Sequence, residues 1–359
     1  MPVIDKICQL IYNAKGLILF ESSILYVKKQ GSIYMEMVLQ IVLLILGFIA
    51  LIKGADLFVD GSSSIAAIFK VPSVIIGLTI VAMGTSAPEL AVSTSAAING
   101  SNEIALSNVV GSNLFNLLVV LGVCAVIKPV PIEDAIKKRD YPLNIITTVL
   151  LFVALGVGMI SAVDFAKVKM SDNVSTVSRW IGICLLVIFI AYIIFLVRSA
   201  LKNKSEGEAV KQMSPLKSVM FILIGIALIV AGGHFVVESA KYIAAALGMS
   251  ETLIGLTVVA LGTSLPELVT SIVAARKGEN GLAVGNVVGS NIFNLLLILG
   301  VSATIHPIAV NFASMVDFAI LIVASILVYI FALTKKINRI EGVVMILFYV
   351  ATVVFAALR

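Results

Sequence analysis

Two stretches of this chain, 178 positions apart, carry nearly the same polar residues inside otherwise apolar sequence. Ile76–Leu90 reads IGLTIVAMGTSAPEL and Ile254–Leu268 reads IGLTVVALGTSLPEL. Each runs on, at equal distance, into a second shared segment: SNVVGSNLFNLL from Ser107 and GNVVGSNIFNLL from Gly285. Ile75–Val130 aligns with Leu253–Ile308 without a gap, and about 34 of the 56 aligned positions are identical. The shared residues are Gly, Thr, Ser, Pro, Asn and one Glu per copy. Polar groups are costly within lipid, so their retention in both copies marks a functional site.

That cost applies because the chain has the composition of a membrane protein. Hydrophobic residues make up 60% and charged residues 13%, more apolar surface than a soluble domain of 359 residues can hide. Apolar runs long enough to cross about 30 Å of hydrocarbon recur along the chain. They predict spans near 37–59, 72–97, 104–127, 141–161, 180–198, 218–247, 252–275, 281–304, 316–333 and 341–357. The expected fold class is an all-α membrane protein with ten transmembrane helices.

Basic residues cluster in Lys128–Arg139, Arg198–Lys217, Arg276–Lys277 and Lys335–Arg339, which ten spans put on one side. By the positive-inside rule that side is cytoplasmic, so these clusters record topology and imply no nucleic-acid partner. Glu89 lies in the second span and Glu267 in the seventh, an odd number of crossings apart. The two copies therefore run through the membrane in opposite directions, as two inverted five-helix repeats. Residues 35–201 and 218–359 are the expected repeats, joined by a cytoplasmic loop at 202–217. Met1–Tyr34 holds no full span and no signal-peptide cleavage pattern. It reads as an N-terminal extension, either an upstream start before Met35 or Met37 or a surface helix.

Inverted halves bring equivalent segments together at the midplane, a plan shared by many secondary transporters. Gly84 with Pro88, and Gly262 with Pro266, disfavour a continuous helix, so carbonyls near Ala82–Thr85 and Ala260–Thr263 are expected to lack helical partners. Thr85, Ser86 and Glu89 fall at i, i+1 and i+4, on or beside one helical face. Ser112 with Asn116, and Ser290 with Asn294, repeat the i, i+4 spacing on the following helix of each half. Hydroxyl, carbonyl and carboxylate oxygens form a hard-oxygen set suited to Na⁺ or Ca²⁺. Two Glu brought together repel unless cations sit between them, and one Ca²⁺, two Na⁺ or two protons would each balance both.

Other residues carry blander readings. Cys124 and Cys184 read as packing residues, and three cysteines with only His234 and His306 argue against a transition-metal site. Gly77, Gly122, Gly255 and Gly300 read as close-packing positions, Gly84 and Gly262 as helix breaks. Asn108 and Asn286 suit either helix–helix hydrogen bonding or ligation. Asp56 and Asp60, matched by His234 and Glu238, read as interfacial or gating residues.

GTSxPE followed by a GNxxGSN-like segment (SNVVGSN, then GNVVGSN), twice and inverted, resembles the cation/calcium exchanger superfamily, most of all its prokaryotic sodium/calcium exchanger branch. The resemblance covers the chain after about residue 35. It implies a peripheral sliding pair, spans one and six, moving past eight core helices. Position by position it implies as ion ligands Ala82 (carbonyl), Thr85, Ser86, Glu89, Ser112 and Asn116. From the second half it implies Ala260 (carbonyl), Thr263, Ser264, Glu267, Ser290 and Asn294. Many sodium/calcium and potassium-dependent members have Asp where Asn294 stands, which leaves this chain two carboxylates. The expected activity is exchange of Ca²⁺ for Na⁺ across a prokaryotic cell membrane, with no cofactor and no obligate protein partner. A calcium/proton antiporter using the same two Glu is the near alternative. A channel fits the broken repeats poorly. A serine-nucleophile enzyme at Ser86 or Ser264 lacks a His or Lys base in the motif.

Overall fold

The computed structural model describes residues 2–99, 102–162, 168–202, 213–249 and 260–359, except the side chains of 2–34, 102–104, 158, 160–162 and 260. In chain order, α1 (Pro2–Phe69) carries the apolar span Met35–Phe69, followed by α2 (Ser73–Thr85) and α3 (Ala87–Ile98), which meet at a 50° bend. Next come α4 (Ala105–Ile127), α5 (Ile136–Val157), α6 (Arg179–Lys202) and α7 (Pro215–Ala246). The second half continues with α8 (Leu265–Lys277), α9 (Asn280–Ile305), α10 (Phe312–Leu333) and α11 (Arg339–Leu358). Among the described residues, eight helices are long and apolar enough to cross a membrane, or nine if the bent pair is one span. The expected seventh span, 252–275, and the loop 202–217 lie partly outside the described residues.

The outer faces are apolar and the interior is partly polar, the reverse of a soluble domain. Ile45, Leu46, Ile49 and Ile52 on α1 and Val187, Ile190 and Ile194 on α6 point outward, as does Cys184, whose sequence context predicts an apolar packing residue. Cys124 is buried as expected. Around the helical ends, β1 (Val130–Pro131) pairs antiparallel with β4 (Lys336–Ile337). This brings the two basic segments Lys128–Arg139 and Lys335–Arg339 to one face. The loops before α6 and α10 meet separately, where β2 (Asn173–Val177) pairs with β3 (Ile308–Asn311).

Glycines set how closely the helices approach. On α1, Gly47, Gly54 and Gly61 recur every seventh residue; on α7, Ser218, Gly225 and Gly232 do the same. A Cβ at Gly47 would lie 2.9 Å from the Gly232 carbonyl, one at Gly54 2.9 Å from that of Gly225, and one at Gly61 2.7 Å from that of Ser218. The two helices therefore run antiparallel in backbone contact, joined at one end by Ser218 Oγ donating to Ser64 Oγ at 2.8 Å. Small residues permit this where lipid supplies no hydrophobic drive between helices. α1 also continues ten residues past its expected end at 59. Tertiary contacts hold this extension: Ser62, Ser63 and Ser64 are buried, and Asp60 meets Lys277 of α8 at 2.7 Å. Lys277 also reaches Asp56 at 3.3 Å, so residues read as interfacial or gating tie α1 to the α8 end.

α2 and α9 are likewise in backbone contact. A Cβ at Gly77 would lie 2.7 Å from the Leu282 carbonyl, and one at Gly285 2.6 Å from that of Val74. Gly122 and Gly300 pack closely too, against Gly342 and Leu186, while Gly255 lies outside the described residues. Gly84 departs from expectation. It is helical within α2 and packed beneath Phe58, whose ring would sit 2.8 Å from an added Cβ. The break falls at Ser86 (φ −82°, ψ 7°), with Pro88 in the first turn of α3, where its missing N–H is not needed. Gly262 is also helical and packs on Val237, and the matching break is at Ser264 (φ −93°, ψ 5°).

Candidate cation-binding site

The two breaks place the starts of α3 and α8 at the centre of the molecule, each with its Glu in the first turn. Glu89 and Glu267 are both fully buried. Each is held by a hydroxyl from the opposite half: Ser86 Oγ donates to Glu267 Oε1 at 2.9 Å, and Ser264 Oγ to Glu89 Oε1 at 3.2 Å. The following helices add matched contacts, Ser112 Oγ to Glu89 Oε1 and Ser290 Oγ to Glu267 Oε1, both at 3.4 Å. The second oxygen of each carboxylate, Oε2, is buried without a hydrogen-bond partner among the described residues. Buried polar atoms are nearly always paired, so orphan carboxylate oxygens mark where a cation would be held.

Asn116 and Asn294 complete the cluster. Each begins a π-helical turn, Asn116–Val120 and Asn294–Ile298, a widening that frequently accompanies functional sites. Asn294 Nδ2 donates to Ser112 Oγ at 3.1 Å and to Asn113 Oδ1 at 2.8 Å, leaving its own Oδ1 unpartnered. Neither polar atom of Asn116 has a partner among the described residues.

The remaining expected ligands lie at the edge of this network. Thr85 Oγ1 donates to Asn286 Oδ1 at 2.9 Å, and the less buried Thr263 Oγ1 reaches Asn108 Oδ1 at 3.4 Å. The Ala82 carbonyl is not free as expected. It accepts the Ser86 N–H at 2.9 Å and lies 3.3 Å from Thr85 Oγ1, because the turn stays helical up to Ser86. Ala260 opens a single turn, Ala260–Gly262, and its side chain lies outside the described residues. Thr85, Ser86, Glu89, Ser112, Ser264, Glu267, Ser290 and Asn294 are thus joined by hydrogen bonds across the two halves, directly or through Asn286.

Asn108 and Asn286 resolve toward bracing. Asn108 Nδ2 donates to Ser93 Oγ at 2.9 Å and to the Glu89 carbonyl at 3.4 Å. Asn286 does the same to Ser271 Oγ and the Glu267 carbonyl, at the same distances. Each fixes the helix turn that carries a Glu. Ser93 and Ser271 escaped the sequence reading, although they lie at matched positions four residues after each Glu. Asn113 and Asn291 escaped it too, and they exchange Nδ2-to-carbonyl hydrogen bonds of 3.3 Å each. Among the described residues no three His, Cys, Asp or Glu side chains gather. The site's formal negative charge therefore rests on two carboxylates, and the remaining donors are hydroxyl, amide and carbonyl oxygens.

The chain as a whole has counterparts among known proteins. The family model described as sodium/calcium exchanger protein matches residues 39–198 and 217–358. The chain belongs to the sodium/calcium exchanger family. It is 35% identical to the putative antiporter CaxA of Alkalimonas amylolytica, over 88% of this chain and 97% of that protein. It is likewise 35% identical to the sodium/calcium exchanger MaX1 of Methanosarcina acetivorans, over 87% and 97%. A solved structure of the sodium-calcium exchanger NCX_Mj superposes with a TM-score of 0.75 at 32% identity, covering 88% of this chain and 98% of that one. The match to the rat sodium/potassium/calcium exchanger 1 spans only 44% of this chain and 14% of that protein. Full-length similarity thus lies with bacterial and archaeal members, the prokaryotic branch of the cation/calcium exchanger superfamily. This exchanger is a multi-pass membrane protein whose cargo is inorganic cations.

Proposed function

We propose that this exchanger moves Ca²⁺ out of its central site against Na⁺ by alternating access. We further propose that it is built from ten spans in two inverted repeats, 35–201 and 218–359, joined through 202–217. The reciprocal contacts between residues 178 positions apart support that inversion. Its ligands are Thr85, Ser86, Glu89, Ser112 and Asn116 with Thr263, Ser264, Glu267, Ser290 and Asn294, together with the Ala260 carbonyl and the second lone pair of the Ala82 carbonyl, whose first accepts the Ser86 N–H. The observation that carries this reading is the pair of fully buried carboxylates, each with one oxygen held from the opposite half and one left without a partner among the described residues.

Oxygen ligands of this hardness favour Ca²⁺ and Na⁺. Two negative charges balance one Ca²⁺ or two Na⁺, whereas a third Na⁺ would leave excess positive charge in low dielectric. Transport near two Na⁺ per Ca²⁺ and weak electrogenicity follow. A second reading, exchange for protons, is favoured by the same two carboxylates, since two protons would balance them equally well. MaX1, a sodium/calcium exchanger by name, favours Na⁺. No covalent chemistry is assigned to the site, because among the described residues neither Ser86 nor Ser264 hydrogen-bonds a His or Lys.

The test is Ca²⁺ flux in proteoliposomes driven separately by a Na⁺ gradient and by a pH gradient. Flux with Na⁺ at constant pH is the expected result; flux with a pH gradient in Na⁺-free buffer alone would select the proton reading. Clamping the voltage reads the charge balance, and a strong response would reject two-for-one exchange.

A further inference from the structure

We propose that Asn113 and Asn291 are positioning residues that take turns orienting the two ligand asparagines. Asn113 holds Asn294 in the state described above, and Asn291 holds Asn116 in the oppositely facing state. This inference rests on the proposed cation site and deepens it. Asn113 and Asn291 are fully buried, occupy the same place in the two SNxFN segments, and tie α4 to α9 through their reciprocal Nδ2-to-carbonyl bonds. Their side-chain oxygens then differ. Asn113 Oδ1 accepts Asn294 Nδ2 at 2.8 Å, and Ser112 Oγ takes the same amide at 3.1 Å. Both donors of Asn294 are thereby directed into the first half, and its Oδ1 is left over for a cation.

The mirror set is idle. Asn291 Oδ1, Asn116 Nδ2 and Asn116 Oδ1 are buried with no partner among the described residues. The residue types in the two sets are identical, so the difference lies in conformation and not in composition. Buried amides gain by pairing, so the idle set stores an arrangement the molecule can adopt. In a transporter of inverted halves, the opposite-facing state is reached when the halves exchange conformations. The engaged and idle amide sets exchange with them, and the cation sees Asn294 from one side and Asn116 from the other.

The test compares Asn113→Ala with Asn291→Ala, and Asn113→Ser with Asn291→Ser in case alanine impairs folding. Each is reconstituted in one orientation, and the Ca²⁺ KM is measured from each face. The two substitutions should shift the ratio of the two KM values in opposite directions, each by about 3- to 10-fold, because each removes support from only one state. Equal weakening at both faces, or no change at either, would identify them as plain helix ties and overturn the proposal. Glu267→Gln serves as the separate control. If it still binds ⁴⁵Ca²⁺ as the parent does, the cation-site reading itself fails, whatever the asparagine variants do.

Discussion

Glu89 and Glu267 each face the same electrostatic problem, a buried carboxylate with one oxygen unpaired among the described residues. Glu89→Gln and Glu267→Gln are each expected to lower Ca²⁺ transport by at least about 100-fold, since each removes half the charge that holds the ion. Neither should lower the melting temperature in Ca²⁺-free buffer, because a neutral amide relieves the cost of an unpaired buried charge. Flux and thermal unfolding measured on the same preparation separate lost binding from lost folding. Asn294→Asp works in the opposite sense. A third carboxylate makes room for a third Na⁺, so Ca²⁺ flux in voltage-clamped liposomes should become more voltage-dependent. Much at this scale was legible in the sequence, because duplication marked Glu89, Ser112 and their partners as polar residues retained in apolar surroundings. Asn113 and Asn291 were overlooked within those same motifs. The i, i+4 rule selects one helical face and passes over a side chain that reaches to the opposite half.

Among helices, α1 and α7 form one closely packed pair. Its two backbones touch through Gly47, Gly54, Gly61, Gly225 and Gly232. Gly54→Val would force them apart and is expected to cost about 1–3 kcal/mol. Ile49→Val, on the outward face of α1, serves as the control and should be nearly silent in thermal unfolding. The seven-residue spacing was visible in each span, but nothing local joins residue 54 to residue 225. Lys277 ties this pair to α8 through Asp60 and Asp56. The three side chains are 30–50% exposed, so the cluster contributes no more than about 1 kcal/mol and weakens with salt. Lys277→Gln should therefore shift the occupancy of the two facing states by up to about 5-fold. Labelling rates of a cysteine placed at the exposed Phe69, on the same helix but outside the contact, would report it in both backgrounds. An unchanged rate would show that the contact does not bias the equilibrium.

For the molecule as a whole, binding and stability are linked because the site exists only when both halves are assembled. Saturating Ca²⁺ at about 100 times its Kd should stabilise the exchanger by about 2.7 kcal/mol, and excess Na⁺ should compete that gain away. Melting curves in Ca²⁺, Na⁺ and chelator measure it directly. Membrane embedding, the duplication and the oxygen character of the site were all readable from the chain. They depend on composition, on periodicity and on residues within a few positions of one another. Where each helix breaks was not readable, since Gly84 and Ser86 are neighbours and packing beneath Phe58 settled which would stay helical. Nor was the free or engaged status of the Ala82 carbonyl, which followed from that same choice. Pairing Ser86 with Glu267, Lys277 with Asp60 and Asn113 with Asn294 required contacts between residues 181 to 217 positions apart. No local propensity encodes such contacts; they exist because close-packed helices bring one half of the chain against the other.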